Sequence, residues 1–421
     1  MFKQLINFII LAILLLPVLS SGQVTVANPE HATYDVVNNR YLICSFYAGS
    51  VVAIDNEGTT SDFVTSIGNA YANHIVGNTL FVTCGQYYVR AYDLTTKSLL
   101  WVKYIPGANQ LDGLTADNDG HLYLIDAVNG AGEIFKLTIS DQTIETFVGS
   151  GLPGWPQDVI FDETNNRLLL ASIGSSAPIV AVDLTSASIT LLVTTPFGDM
   201  DGIAMDNDGN VYVTSYYDGT IYKYDQTFTN PPTLISSTHS GPAGLGYNPV
   251  DNILAVPNFN ANRVDLIPLD DNDSDNILDY IDNCPNTANT DQIDSDEDGD
   301  GNACDGCPDI PNPGHEDDDI DGVENACDNC PEHYNPGQED SNGNDVGDLC
   351  DYICGDIDGT PEINILDVVF LINNVYKSGP DPDPLESADV NHDLIINILD
   401  IVYLINNIYK SGPDPECVVW I

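Results

Sequence analysis

Along residues 23–269 the chain alternates apolar and polar positions in short runs rich in Val, Ile, Leu, Tyr and Thr, broken by Asn, Asp and Gly. This is the period of half-buried β-strands joined by tight turns. One phrase recurs, beginning at His31, Gly113, Asp158, Gly202 and Gly244, with a degenerate copy near His74 that has a shortened turn before Thr79. The steps are 43, 39, 45, 44 and 42 residues. Repeats of roughly 40–50 residues with several strands each are the signature of β-propeller blades. A single blade cannot bury both of its faces, so six stacked around an axis are expected. The apolar positions of the phrase are then mostly core.

The pattern changes at residue 270. Apolar positions become sparse, and residues 270–358 hold 29 Asp and Glu without one Lys or Arg. A twelve-residue pattern, D-x-[D/N]-x-(D/N/T)-x-x-x-[D/N]-x-x-D, occurs six times. Its positions 1, 3, 5, 9 and 12 are the side-chain oxygen positions of an EF-type calcium loop, and position 7 offers a backbone carbonyl. The first loop places Asp271, Asp273, Asp275, Asp279 and Asp282 there, and the second Asp294, Asp296, Asp298, Asn302 and Asp305. The third has Asp317, Asp319, Asp321, Asn325 and Asp328, and the fourth Asp340, Asn342, Asn344, Asp348 and Asp351. The fifth has Asp356, Asp358, Thr360, Asn364 and Asp367, and the sixth Asp389, Asn391, Asp393, Asn397 and Asp400. The first four loops start 23 residues apart, and Cys284, Cys307 and Cys330 keep that step, as do Cys304, Cys327 and Cys350. An acidic disordered tail has charge but no register. Hard oxygen donors without His or Cys favour Ca2+ over zinc, and many flexible ligands favour it over magnesium. Position 6 is Gly299 and Gly322 in two loops, Asn276 and Asp345 in two others, and Pro361 and Leu394 in the last pair.

The final pattern has helical spacing. Residues 363–382 recur at 396–415 with 17 of 20 identical, each copy following a loop. Leu366, Val369, Phe370 and Val375, with Leu399, Val402, Tyr403 and Ile408, are expected to pack two helices together. Cys354 and Cys417 bracket the duplication and are placed to clasp its ends. Boundaries follow from these changes: 1–22 a leader, 23–269 the propeller, 270–353 the acidic loops and 354–421 the duplicated domain.

Charge and cysteines narrow the setting. The formal charge is −53, and eleven Lys and Arg in 421 residues exclude a generic nucleic-acid binder, whose phosphate contacts need cations. A short basic start, an apolar run over residues 5–15 and Ser20-Ser21-Gly22 read as a secretory signal, too short for a bilayer span. No later stretch is apolar enough to cross. Ten cysteines suit an oxidising compartment. Cys44 and Cys84 occupy equivalent strands, either as a blade-linking disulfide or as two buried thiols.

The blade phrases resemble the NHL and senescence-marker/gluconolactonase propellers over roughly 240 residues. In the second family an acidic residue before the first blade, an amide in a middle blade and an Asp of an Asp-Gly pair hold a divalent metal. The matching positions are Glu30, Gln157 and Asp201; Gln157 replaces the usual Asn. Asp112-Gly113 falls where that family has a substrate-contacting Asn-Asp-Gly, with Leu111 in place of the Asn. Glu30, His31, His74, Asp112, Gln157, Asp158 and Asp201 all open innermost strands, so blade geometry would gather them at one mouth of the channel, either as a ligand site or as a hydrated polar cap. Residues 270–351 resemble thrombospondin type 3 repeats through Asp282-Asn283-Cys284-Pro285 and its copies. That resemblance implies the pairs Cys284–Cys304, Cys307–Cys327 and Cys330–Cys350. The duplicated loop and helix of 354–421 resembles a dockerin, which implies a cohesin-like partner. Its recognition positions 10 and 11 are Ile365-Leu366 and Ile398-Leu399, apolar where the family has hydroxyl residues.

These readings combine into a secreted or cell-surface calcium-binding modular protein. Its propeller would hold a glycan or protein ligand, and its dockerin-like end would dock it in polysaccharide-degrading or surface-attached assemblies. Two alternatives are a metal-dependent lactonase using Glu30, Asp112 and Asp201, and a calcium-dependent adhesin.

Overall fold

Six four-stranded antiparallel sheets follow one another along the first part of the chain, five of them built from four consecutive strands and the sixth from three consecutive strands and the N-terminal one. The computed structural model describes residues 22–417 apart from 176, 341–342, 361 and 383–384; the leader as far as residue 21, Asn342 and Pro361 lie outside the described residues. Blades 1 to 5 span 29–64, 70–104, 111–148, 155–194 and 203–236. Blade 6 takes three strands from 246–268, and its fourth is Gly22–Thr25, which pairs antiparallel with Arg263–Pro268. The N-terminal strand therefore closes the ring. Such closure ties the two ends of the propeller together by main-chain hydrogen bonds within one blade.

The repeated phrase now has a physical explanation. Its Asp caps the turn between the first two strands: Asp117 Oδ1 accepts from Asp119 N and His121 N at 2.9 Å each, and Asp206 Oδ1 accepts from Asp208 N at 2.9 Å and Asn210 N at 2.8 Å. In blades 1 and 4 the capped turn also recruits an arginine, with Arg40 Nε 2.9 Å from Asp35 and Arg167 Nε 2.7 Å from Asp162. These are Asx-type turns, which short acidic side chains form with their own backbone. The glycines that open blades 5 and 6 are there for close approach. A Cβ on Gly202 would lie 2.1 Å from Ala243 O, and one on Gly244 would lie 2.3 Å from the His31 ring. Apolar residues fill the space between neighbouring blades: Phe81, Leu111, Leu114, Leu122, Leu124 and Phe135 form one such layer. Cys44 and Cys84 are free, fully buried thiols within another, so the blade-linking disulfide does not form.

This first compact unit extends to Pro285 rather than ending with the last strand. Leu278, in the first acidic loop, is 6% exposed and packs with Ile235, Ile267 and Leu269. Asn252 Nδ2 also donates to Asp270 Oδ1 at 2.9 Å.

The second unit, from Asn286, carries acidic loops and two helices, α1 (Ile365–Lys377) and α2 (Ile398–Lys410). Cys307–Cys327 and Cys330–Cys350 staple the loops, and Cys354–Cys417 clasps the helical part. Cys284 and Cys304 are disulfide-bonded as well. Each helix starts from a capping box, Asn364 with Asp367 and Asn397 with Asp400, which satisfies otherwise orphan first-turn N–H groups. The helical core is Val368, Leu371, Ile401 and Leu404 with Ile357, Ala388 and Val390. The expected packing needs correction here. Phe370, Val375, Tyr403 and Ile408 do pack against this core, but Leu366, Val369, Leu399 and Val402 stand 56%, 46%, 57% and 46% exposed. Both helices are apolar almost all round, so helical spacing fits two stripes equally well; the stripe that meets Ile357 and Val390 is the one buried.

Candidate functional site

The ring of innermost strands brings one residue from each of five blades to a common centre. Glu30, Tyr71, Asp112, Gln157 and Asp201, with His31, Gly113, Asp158 and Gly244, line a cavity of 10 Å³, at the lower limit of what holds a water. A register shift interrupts the pairing of the first two strands at this level in blades 1 to 4, between Pro29 and His31, Ala70 and Asn73, Leu111 and Leu114, and Pro156 and Asp158. Bulges next to sites re-aim side chains in this way. They let neighbours such as Glu30 and His31, or Gln157 and Asp158, line one small space.

Blade 2 departs from the expected alignment. Strand pairing sets His74 opposite Phe81 and Asn73 opposite Val82, as Thr33 lies opposite Leu42 and Ala32 opposite Ile43. His74 therefore corresponds to Thr33, and Tyr71 takes the place of Glu30. The turn after this strand has two residues, 77–78, where blade 1 has four, 36–39, which accounts for the displacement. His74 instead lines the wider, mostly apolar part of the channel, a space of 510 Å³ shared with Ile75, Leu114, Ala116, Met205 and Tyr247. Tyr71 was not singled out from the sequence; counting back from the short Gly77-Asn78 turn would have found it.

Electrostatics at the centre are those of crowded carboxylates. Burial, then the charges of Asp201, Asp112 and Asp158, push Glu30 well above the ordinary carboxylate range. Burial followed by Asp201 and Asp158 does the same to Asp112, and burial with Asp158 raises Asp201 to about 7. Asp158 is held by Val159 N at 2.8 Å and Ile203 N at 3.1 Å, with His31 Nε2 at 3.5 Å. His31 also contacts Asn73 Oδ1 at 2.9 Å; burial works against its charge, but Asp158 wins and its pKa rises. His74, by contrast, is lowered to about 4 by burial and by His31. Gln157 turns its amide nitrogen onto Pro156 O at 3.0 Å. Several like charges in a narrow space favour either shared protons or a divalent cation. Glu30, Asp112 and Asp201 are oxygen donors suited to a hard cation.

The acidic loops have the geometry of calcium loops. Ligand atoms of Asp271, Asp273 and Asp275, of Asp294, Asp296 and Asp298, and of Asp317, Asp319 and Asp321 lie within 4.8 Å of one another in each trio. At position 1 the carboxylate accepts from the N–H of position 6: Gly299 to Asp294 at 3.1 Å, Gly322 to Asp317 at 3.0 Å, Asp345 to Asp340 at 3.0 Å and Leu394 to Asp389 at 2.8 Å. Position 6 has positive φ in each of these loops and at Asn276. Buried oxygens of Asp271, Asp273, Asp296, Asp305, Asp319, Asp328 and Asp356 have no hydrogen-bond partner. A buried carboxylate oxygen left unpaired is costly, and a bound cation removes that cost. The donor set therefore fits Ca2+. Position 9 has a role that its spacing did not reveal. Asp279, Asn302 and Asn325 each accept from the N–H at position 2, at 2.8, 2.9 and 3.0 Å, closing the loop on itself. In the last two loops position 9 is the helix cap, and position 12 is fully buried: Asp367 accepts from Ile357 N at 2.8 Å and Asn364 N at 2.7 Å, and Asp400 from Asn397 N at 2.8 Å.

Comparison with known proteins agrees with this division. Residues 354–409 match the dockerin type I domain. No curated protein sequence matches the chain. A gluconolactonase from Xanthomonas campestris superposes with a TM-score of 0.50 at 13% identity, covering 59% of this chain and 89% of its own. A streptogramin B lyase (TM-score 0.45, 14% identity, 58% and 96% covered) and a calcium-binding protein, regucalcin, from Agrobacterium tumefaciens (0.48, 14%, 58% and 92%) are also similar. Among the described residues no helix is long and apolar enough to cross a membrane. The chain thus ends in a dockerin type I domain at residues 354–409, preceded by a six-bladed β-propeller that shares its fold with a gluconolactonase.

Proposed function

We propose that this is a secreted calcium-binding modular protein that docks through residues 354–421 onto a cohesin-like partner and presents a ligand at the propeller mouth. The setting is an extracellular polysaccharide-degrading or surface-attached assembly. The carrying observation is the pair of equivalent exposed apolar faces on the two helices. Ile365-Leu366 and Ile398-Leu399 sit at the first turns of α1 and α2, at positions 10 and 11 of their calcium loops, at 45%, 56%, 51% and 57% exposure. Capping by Asp367 and Asp400 couples the orientation of each face to its loop. The cysteine-stapled loops between propeller and dockerin, thrombospondin type 3-like in phrase, serve as a calcium-ordered spacer. The test is binding of the full chain to an immobilised type I cohesin with calcium and with EGTA. Calcium-dependent binding abolished by Leu366→Asp with Leu399→Asp supports the reading; binding indifferent to both calcium and the double substitution refutes it.

The carboxylate cluster favours a second reading, a metal-dependent lactonase in the channel. Glu30, Gln157 and Asp201 would hold the ion, with Asp112 beside the substrate; the ion would polarise the lactone carbonyl. Turnover of small lactones that is lost in Asp201→Ala with the fold intact would establish it.

A further inference from the structure

At the mouth end of three adjacent blades, the loop between second and third strands carries aromatic side chains at equivalent places: Tyr216-Tyr217 in blade 5, Phe259 in blade 6 and Phe46-Tyr47 in blade 1. The corresponding loop of blade 2, residues 85–87, carries Tyr87, which packs toward Tyr104 of its own blade at 6.4 Å, and those of blades 3 and 4, residues 127–132 and 174–177, have no aromatic residue. The rings of blades 6 and 1 touch one another, and a hydrogen bond ties the blade 5 pair to the blade 6 loop, so that together they form an arc. Tyr216 and Tyr217 are 5.2 Å apart between centroids, and the Tyr216 hydroxyl donates to Asn260 Oδ1 at 3.3 Å. Phe259 lies 5.9 Å from both Phe46 and Tyr47, and Phe46 lies 4.9 Å from Tyr71. Tyr71 lines the carboxylate cavity, so the arc runs from the outer rim into the channel. Tyr47 and Tyr217 nevertheless stand 70% and 77% exposed.

The composition of these loops selects the occupant. They contain no Leu, Ile, Val or Met, which the core of a protein interface would add, and no Lys or Arg. Between the rings are polar groups: the Asn260 side chain, and Asp218, bonded to Ser215 at 3.0 Å. Flat apolar faces bordered by hydrogen-bonding groups match a sugar ring, which has a C–H face and a hydroxyl edge. The carboxylates of the mouth and a formal charge of −53 disfavour an anionic polymer. We propose that this arc is a binding subsite for a neutral oligosaccharide, which stacks on Tyr47 and Tyr217 as it crosses the mouth. This rests on the reading of the mouth as a ligand site, but needs no metal.

The test is isothermal titration of the full chain with cellohexaose, xylohexaose and mannohexaose, with polygalacturonate as the anionic control. At least one neutral hexaose should bind. Tyr47→Ala with Tyr217→Ala should weaken it about tenfold or more, while Tyr47→Phe with Tyr217→Phe retains it, because the face and not the hydroxyl carries the contact. Binding to none of the three, preference for polygalacturonate, or an affinity unchanged in the Ala double variant would overturn the proposal. Absence of an ion at Glu30 and Asp201 would sink the channel-metal reading and leave this one standing. Failure of hexaose binding sinks this one alone.

Discussion

Replacing Asp201 by Asn tests the electrostatics of the channel with a sign that few alternatives share. Its carboxyl is raised from 3.8 to about 7 by burial and by Asp158. A carboxyl whose folded-state pKa lies above its unfolded value binds more protons when folded. Its contribution to stability is complete below about pH 4 and is lost as pH rises through about 7. At about 1.4 kcal/mol per unit, a group moved by roughly three units costs the metal-free propeller about 4 kcal/mol by pH 8. Glu30 and Asp112 are raised by overlapping causes, so the cost belongs to the cluster, and one neutralised member should recover about 2–4 kcal/mol of it. In EDTA at pH 8 Asp201→Asn is therefore expected to be more stable than the parent, by roughly 5–15 °C in midpoint, and equal to it near pH 4. A divalent ion should reverse the order, since it stabilises only the chain that binds it. Thermal unfolding between pH 4 and 8 in a Trp420→Phe background, followed by fluorescence of the remaining Trp101 and Trp155 in blades 2 and 4, isolates the propeller from the chelated loops. An Asn variant less stable than the parent at pH 8 without metal would show that the carboxylate has a stabilising partner, and the argument would fail.

Chelation of the full chain should expose residues 286–417 to protease while leaving the propeller resistant, because residues 270–358 hold 29 Asp and Glu without one Lys or Arg; equal resistance with and without EGTA, read by mass mapping, would defeat this. Gly202→Ala has no room for its methyl, 2.1 Å from Ala243 O, and is expected to destabilise the propeller by about 1–3 kcal/mol in urea unfolding. Leu394 holds φ at 65°, where an L residue loses about 1–2 kcal/mol, so Leu394→Gly should gain about 0.5–1 kcal/mol for the dockerin after the entropy of glycine, measured as a higher unfolding midpoint in calcium.

What the sequence determined by itself is whatever depends on short-range pattern. The blade period, the twelve-residue loops and the helix duplication are each set within a few tens of residues by alternation, donor spacing or capping. Position 1 of the calcium loop meets the N–H of position 6 by the geometry of that loop alone, so a register of aspartates was enough to place it. The convergence of Glu30, Asp112, Gln157 and Asp201 was legible for a related reason: equal repeats put equal positions at equal depth.

The tertiary structure decided what repeats and patterns leave degenerate. A two-residue turn in blade 2 moved His74 two places down the channel and put Tyr71 beside Glu30, a slip that local alignment of an irregular repeat does not resolve. Both helices carry two apolar stripes, and only contact with Ile357 and Val390 chose Val368 and Leu371 for the core and left Leu366 and Val369 outside. Cys44 and Cys84 share a blade layer without bonding, which spacing could not tell. Ring closure by Gly22–Thr25 joins residues more than 230 positions apart, Gly22 opposite Leu266, and the aromatic arc likewise joins blades 5, 6 and 1 only because the ring is closed. Contacts of that range arise when blade faces are buried together, and no local pattern encodes them.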